Sequence, residues 1–139
     1  MEIQGYNIPE DLYYDENHFW VKVEGGELLM GMDDFAQKMA GEIVYVQLPE
    51  EGKKLKKGKK LAKVESGKWL GKVMCPVDGE LLAVNEALET NPGLINEDCY
   101  GKGWMYRVKG DAGQLSDLTT GADALTKWMA AEIEKYKDK

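Results

Sequence analysis

The chain predicts a mainly β fold, wound as a flattened barrel from two interlocked halves. Three observations carry this expectation. Sixteen glycines in 139 residues favour many tight turns over a helical bundle. Short runs of alternating apolar and polar residues recur, separated by turn signals. The segment Gly41-Glu42-Ile43-Val44-Tyr45-Val46 is echoed in pattern by Gly79-Glu80-Leu81-Leu82-Ala83-Val84, so two similar strands flank a central hairpin.

The elements follow in order. Trp20-Val21-Lys22-Val23-Glu24, the Gly25-Gly26 turn and Leu28-Leu29-Met30-Gly31-Met32 read as a hairpin. Met32 to Ala40 reads as a short helix, with Asp33 or Asp34 as cap, Phe35 and Met39 on one face, and Gly41 as terminator. Ile43 to Leu48 is a strand and Pro49-Glu50-Glu51-Gly52 a turn. Leu61 to Val64 leads into a turn at Lys68, Leu70 to Cys75 leads out of it, and Pro76 to Gly79 turns the chain again. Asn85 to Asn96 carries helix signals broken by Pro92-Gly93, and Gly103 to Val108 is a further strand. Leu125, Trp128, Met129, Ile133 and Tyr136 recur at helical spacing. The basic run Lys135 to Lys139 suits the end of that helix electrostatically. The stripe is expected to pack on the barrel.

Composition bounds the function. The length suits a single domain spanning 1–139 that buries roughly two-thirds of its unfolded surface. Apolar content of 43% and charged content of 31% are those of a soluble globular protein. No apolar run approaches the roughly 20 residues of a membrane span. Met1 to Glu16 has no signal-peptide character, so a cytoplasmic protein without a membrane partner is expected. A net charge of -7 argues against nucleic acid as the main partner. Yet Lys53, Lys54, Lys56, Lys57, Lys59, Lys60 and Lys63 crowd into one segment ahead of Lys68. They are either a solvated loop or a docking patch beside Lys68 for an acidic partner.

Cys75 and Cys99 are too few for a zinc site and form no Cys-x-x-Cys pair. Cys75 reads as a buried inert thiol, and Cys99 sits in a loop where it could be exposed. A lone histidine, His18, speaks against a histidine-based metal centre or triad. No general base, nucleophile or metal cluster is visible, so an enzyme is not expected.

The remaining constellation is Val64-Glu65-Ser66-Gly67-Lys68-Trp69. Gly67 offers a flexible or positive-φ turn position, Glu65 lies on the approaching strand, and Lys68 sits at the tip with a long solvated stem. Such a lysine can be singled out for acylation. Alone, the pattern is an ordinary surface lysine in a hairpin.

Its neighbours give it specificity. His18-Phe19-Trp20-Val21, Met32-Asp33-Asp34-Phe35-Ala36-Gln37 and Gly41 to Pro49 precede the turn. Pro76-Val77-Asp78-Gly79-Glu80, Val84 to Leu88, Asn91 to Asp98 and Tyr100 to Met105 follow it. In this order they resemble the glycine cleavage H-protein family over a core of about 10–109, and a C-terminal helix of about 121–137 fits as well. The resemblance implies a barrel-sandwich hybrid of the lipoyl/biotinyl type, with short flanking helices and a C-terminal helix. It implies lipoate joined by an amide to Lys68, with Glu65, Ser66, Gly67 and Trp69 as the attachment turn and His18 and Phe19 near the arm. It implies a non-catalytic carrier, expected as a monomer, that takes an aminomethyl group between partner enzymes. Those partners are a pyridoxal-phosphate glycine decarboxylase, a tetrahydrofolate-dependent aminomethyltransferase, a flavin-containing dihydrolipoyl dehydrogenase, and a lipoate ligase or lipoyl transferase.

Four positions and one segment depart from the family's usual pattern. Phe19 stands where the family usually has glutamate, Gly67 and Trp69 replace valine and alanine beside the lysine, the segment after Pro49 is lysine-rich, and Cys99 replaces a common proline. A phenyl ring cannot give a cationic cargo the charge-assisted bond of a carboxylate. Two alternatives therefore stay open: an H-like lipoate-binding protein carrying sulfur for a heterodisulfide-reductase-like complex, or a lipoyl-relay protein.

Overall fold

The computed structural model describes residues 1–137, and they form three antiparallel sheets with short helices between. β1 (Glu2–Ile3) and β2 (Tyr6–Asn7) make a small N-terminal hairpin. β3 (Tyr13–Tyr14), β4 (Phe19–Glu24) and β5 (Glu27–Met32) follow, then α1 (Asp34–Ala40), β6 (Ile43–Val46) and β7 (Lys54–Leu55). β8 (Lys60–Ser66) and β9 (Leu70–Met74) form the hairpin that carries Lys68. β10 (Gly79–Val84), two single-turn helices α2 (Ala87–Thr90) and α3 (Leu94–Glu97), and β11 (Tyr106–Lys109) complete the sheets. A 3-10 turn (Ala112–Asp117) then leads to α4 (Ala122–Tyr136).

One sheet has the order β3-β4-β5-β11-β10-β7 and another the order β6-β8-β9. Val21, Met30, Leu81 and Val108 from the first meet Val46, Val64 and Val73 from the second in one buried core. This is the mainly β barrel-sandwich expected. A second cluster lies under the C-terminal helix, where Leu125 and Met129 pack with Trp20, Phe35 and Ile8. Asp138 and Lys139, the end of the basic run, lie outside the described residues.

Local chemistry explains several of these elements. Gly25 and Gly26 both take positive φ, 53° and 84°, and close the β4–β5 hairpin on a two-residue turn. Asp33 caps α1 by accepting a 2.8 Å bond from the Ala36 amide, and Gly41 at φ 81° ends it. Proline and glycine split the 85–96 region into α2 and α3, as their positions predict. The sequence echo is structural too. β6 and β10 occupy different sheets, and each shifts register at the same place, Ile43/Tyr45 and Leu81/Ala83.

Some expectations shift. β6 stops at Val46, and β11 runs Tyr106–Lys109 instead of beginning at Gly103. Three of the four two-residue strands, β1, β2 and β3, are too short to leave a period-2 signal, and β7 is hidden within the lysine run. Cys99 is not exposed: it is buried, and its carbonyl accepts a 2.9 Å bond from Trp20 Nε1. Burial pushes its thiol up to about 12, so it is inert near neutrality.

His18 ties the α1 cap to the C-terminal helix beside the second cluster. It holds φ 65° and is buried. Nδ1 lies 2.9 Å from Asp33 Oδ2, Nε2 lies 2.8 Å from Glu132 Oε1 on α4, and the ring stacks on Trp128. Burial disfavours the imidazolium, but the bonds and charges of Asp33 and Glu132 outweigh it and raise the His18 pKa. A raised folded value means the stability His18 contributes is present below its ordinary pKa of about 6.5 and is lost as pH rises through the folded value. The thermal midpoint should therefore fall between pH 6 and pH 9. Glu132→Gln should flatten that fall in a melting series across the same range. His18→Ala should cost about 3–5 kcal/mol in denaturant unfolding, the usual penalty for breaking a buried ion pair.

Candidate functional site

The β8–β9 hairpin turns through Gly67, Lys68 and Trp69. It is closed by a 2.8 Å bond from the Ser66 amide to the Trp69 carbonyl, and the Lys68 amide points at Ser66 Oγ, 3.3 Å away. Behind the tip the ladder continues in register, Glu65 opposite Leu70 and Val64 opposite Gly71. Lys68 is thus an exposed amine on a backbone fixed by cross-strand bonds. It makes no ion pair with any described residue.

Gly67 corrects one expectation. Its φ is not positive, and a Cβ built there would meet nothing within 4 Å. The turn needs no glycine at this position. Glycine is needed at two others. At Gly41, with φ 81°, an added Cβ would come within 3.0 Å of Lys68 Cε, so the lysine stem lies across it. At Gly71, any Cβ would collide with the Trp69 indole, which folds over the bare backbone.

Asn96 fixes the platform beneath the stem. Its Oδ1 accepts from the Ile43 amide at 2.8 Å, while Nδ2 donates to the Gly41 carbonyl and to Gln37 Oε1, each at 2.9 Å. Local pattern marks Gly41 as a helix stop but not as the seat of the lysine stem, and it marks neither Asn96 nor Gly71. The Gly41–Lys68 and Gly41–Asn96 contacts span 27 and 55 positions, and Gly71 matters through the way the Trp69 indole folds onto it.

Trp69 is 43% exposed and forms one wall of a cleft of about 240 Å³. Phe19 and Met32 from the first sheet, Phe35 and Met39 from α1, and Tyr136 from α4 form the other walls, with His18 at the margin. Phe19 and His18 are therefore brought to the same cleft as Trp69, and the walls are dominated by aromatic and thioether groups. Phe19 is itself buried, so the cleft receives one face of its ring. Glu65 lies on the opposite side of the hairpin from that indole, in a row with Tyr45 and Leu70, and its carboxylate approaches Lys63 Nζ at 3.9 Å. Val44, Tyr45 and Leu70 are exposed apolar residues, making a collar around the hairpin tip.

The lysine run is not beside Lys68. Lys60 opens β8 and pairs with Met74, so Lys53 to Lys60 lie at the end of the hairpin opposite the tip. The geometry supports an acyl acceptor at Lys68 and an apolar shelter nearby. Among the described residues no cluster of metal ligands exists.

A family model described as "Glycine cleavage H-protein" matches residues 12–132. The chain is 45% identical over 130 residues to a glycine cleavage system H protein 2 of Aquifex aeolicus, covering 91% of this chain and 81% of that one. It is also 45% identical over 113 residues to a glycine cleavage system H protein of Thermus thermophilus, covering 81% and 88%. The crystal structure of a glycine cleavage system H protein from Mycobacterium marinum superposes with a TM-score of 0.70 at 31% identity, covering 79% of this chain and 97% of that one. This chain belongs to the glycine cleavage H-protein family.

Proposed function

We propose that the chain is the lipoyl carrier of a glycine cleavage system, with the lipoyl group attached through an amide to Lys68. The observation that carries this reading is the isolated exposed amine of Lys68 on a cross-bonded hairpin tip. An attachment enzyme must reach one lysine among many, and a rigid, protruding backbone offers it one. The site fits the group: the amine has no ion pair to break, and an apolar cleft of about 240 Å³ lies beside it. When bound, the group supplies thiols that carry a one-carbon fragment.

The protein's own residues position and shelter. Ser66 and Trp69 hold the tip, Gly41 gives the lysine stem a seat, and Glu65 offers a carboxylate for the attachment enzyme to recognise. Phe19, Phe35 and Trp69 give the cleft beside the tip an apolar lining. Nothing in this arrangement activates a substrate, so the chain acts as a carrier and the chemistry belongs to its partners. These are glycine decarboxylase, the aminomethyltransferase, dihydrolipoyl dehydrogenase and a lipoate ligase or lipoyl transferase. The carrier works as a cytoplasmic monomer that raises the effective concentration of its cargo at each enzyme. The relatives bear the glycine cleavage name, which favours this cargo over sulfur.

The test is reconstitution after co-expression with a lipoate ligase. Glycine-dependent carbon dioxide exchange with glycine decarboxylase should appear with the wild type and vanish with Lys68→Arg, which keeps the charge and cannot be acylated. Absence of exchange from a fully lipoylated wild type would overturn the glycine cleavage reading. Gly67→Val should leave the thermal midpoint within the range of a neutral surface change, about 0.5 kcal/mol, and should not reduce lipoylation. Gly41→Ala should lower the rate of lipoylation, read by intact mass over time, and cost about 1–3 kcal/mol, because φ 81° with ψ -162° is a conformation essentially restricted to glycine.

A further inference from the structure

We propose that the lysine-rich turns at the end of the hairpin opposite Lys68 form a second docking surface, one that takes an acidic face of a partner protein. Lys53, Lys54, Lys56, Lys57, Lys59 and Lys60 are all exposed. The chain as a whole carries -7, and without these six lysines it would carry -13. The molecule is therefore strongly polarised, with one compact positive region on an acidic body.

Local carboxylates neutralise only part of this region. Glu50 and Glu51 precede it in sequence and Asp78, Glu80 and Asp117 border it, yet only Asp117 forms an ion pair with one of its lysines. Lys57 pairs with Asp117 at 3.2 Å, and Lys53 Nζ donates to the Leu61 carbonyl. Lys54 faces Glu80 across the β7–β10 pair without forming an ion pair. Lys56, Lys59 and Lys60 pair with no described acidic group. Their backbone is also held. The Gly58 amide donates to the Cys75 carbonyl at 2.9 Å, the Cys75 amide to the Lys59 carbonyl at 2.8 Å, and the Lys57 amide to Asp78 Oδ1 at 2.8 Å. Three unpaired ammonium groups on a fixed turn give a partner a preorganised target, which lowers the ordering cost of association.

Position fits the task of a carrier. Lys60 and Ser66 begin and end β8, six residues apart, or about 20 Å at the rise of a strand. That exceeds two Debye lengths at physiological salt, about 8 Å each, so the patch does not act as a counter-charge at the tip. A partner held there leaves Lys68 and its cleft uncovered. Electrostatic attraction to a polarised protein chiefly speeds and orients encounter. A protein surface fits better than a nucleic acid. A phosphate backbone leaving the patch would run along a body carrying -13, and no aromatic side chain interrupts Lys53 to Lys60 to stack on bases.

The inference about the partner enzymes rests on the carrier reading, and binding of a bare probe does not. Lys56→Gln/Lys59→Gln/Lys60→Gln is compared with Lys22→Gln/Lys102→Gln/Lys127→Gln, which changes the charge equally on other faces. Both variants are first checked for wild-type melting. With the unmodified chain, poly-L-glutamate should bind the wild type and the control variant, and binding should fall at least tenfold with the patch variant. With lipoylated proteins, the patch variant should raise the KM for the carrier about tenfold at glycine decarboxylase or at the aminomethyltransferase, with kcat unchanged. The wild-type KM there should rise with salt. Equal behaviour of the two variants in both assays would overturn the proposal, as would an unchanged KM at both enzymes. Duplex DNA binding as tightly as poly-L-glutamate would overturn the choice of a protein partner. If the wild type is not lipoylated or supports no exchange, it is the carrier reading that fails, and the probe assay alone decides the docking surface.

Discussion

One short bond organises the working end of this molecule: the Ser66 amide donating to the Trp69 carbonyl. It closes the β8–β9 hairpin around Gly67 and Lys68, leaving Lys68 exposed with its stem lying across Gly41. The same closure sends Trp69 to one face of the strand and Leu70 to the other, as alternation requires. Trp69 then folds onto Gly71 and walls the cleft, while Leu70 joins the exposed collar with Val44 and Tyr45. A protruding amine, an apolar shelter and an apolar rim thus follow from a single turn.

The rest of the fold keeps that turn in place. Asn96 ties Gly41 and Ile43 together beneath the lysine stem, and Gln37 links them to α1. Asp33 caps α1 and accepts the His18 bond, and His18 reaches Glu132 on α4. The C-terminal helix is therefore part of the site's support, and Tyr136 brings it to the cleft itself. Phe19 and Phe35 make that cleft apolar where the family usually presents a carboxylate at the first position. Glu16 and Lys72 also line this cleft, so the carboxylate open to a cationic cargo there is Glu16, not a group at position 19. The arrangement suits residues that shield the arm more than residues that grip its load.

Much of this was legible in the sequence. The glycine pair at 25–26, the Asp33 cap, the Gly41 stop and the Pro92-Gly93 break are local signals, and each appears where local physics puts it. Lys68 stands out in the sequence because ordered neighbours surround it, and the structure places it exposed at the tip of the β8–β9 hairpin. What failed was long-range. Gly67 looked like a required turn glycine, yet the glycines that matter are Gly41 and Gly71, which are defined by what packs on them. Cys99 looked exposed because its segment is polar, but Trp20 and Tyr100 enclose it. The lysine run looked adjacent to Lys68 because it is near in sequence. A strand of seven residues separates them in space, since a strand is the most extended path the chain can take.

The central claim is that the fold presents one lysine among many for acylation. Its most direct test is peptide mapping by mass spectrometry after treatment of the purified chain with a lipoate ligase, ATP and lipoate. The account predicts a lipoyl adduct on Lys68 alone, with every lysine from Lys53 to Lys63 unmodified. Adducts spread over the lysine run, or no adduct on Lys68 with a ligase shown to be active on its own substrate, would contradict it.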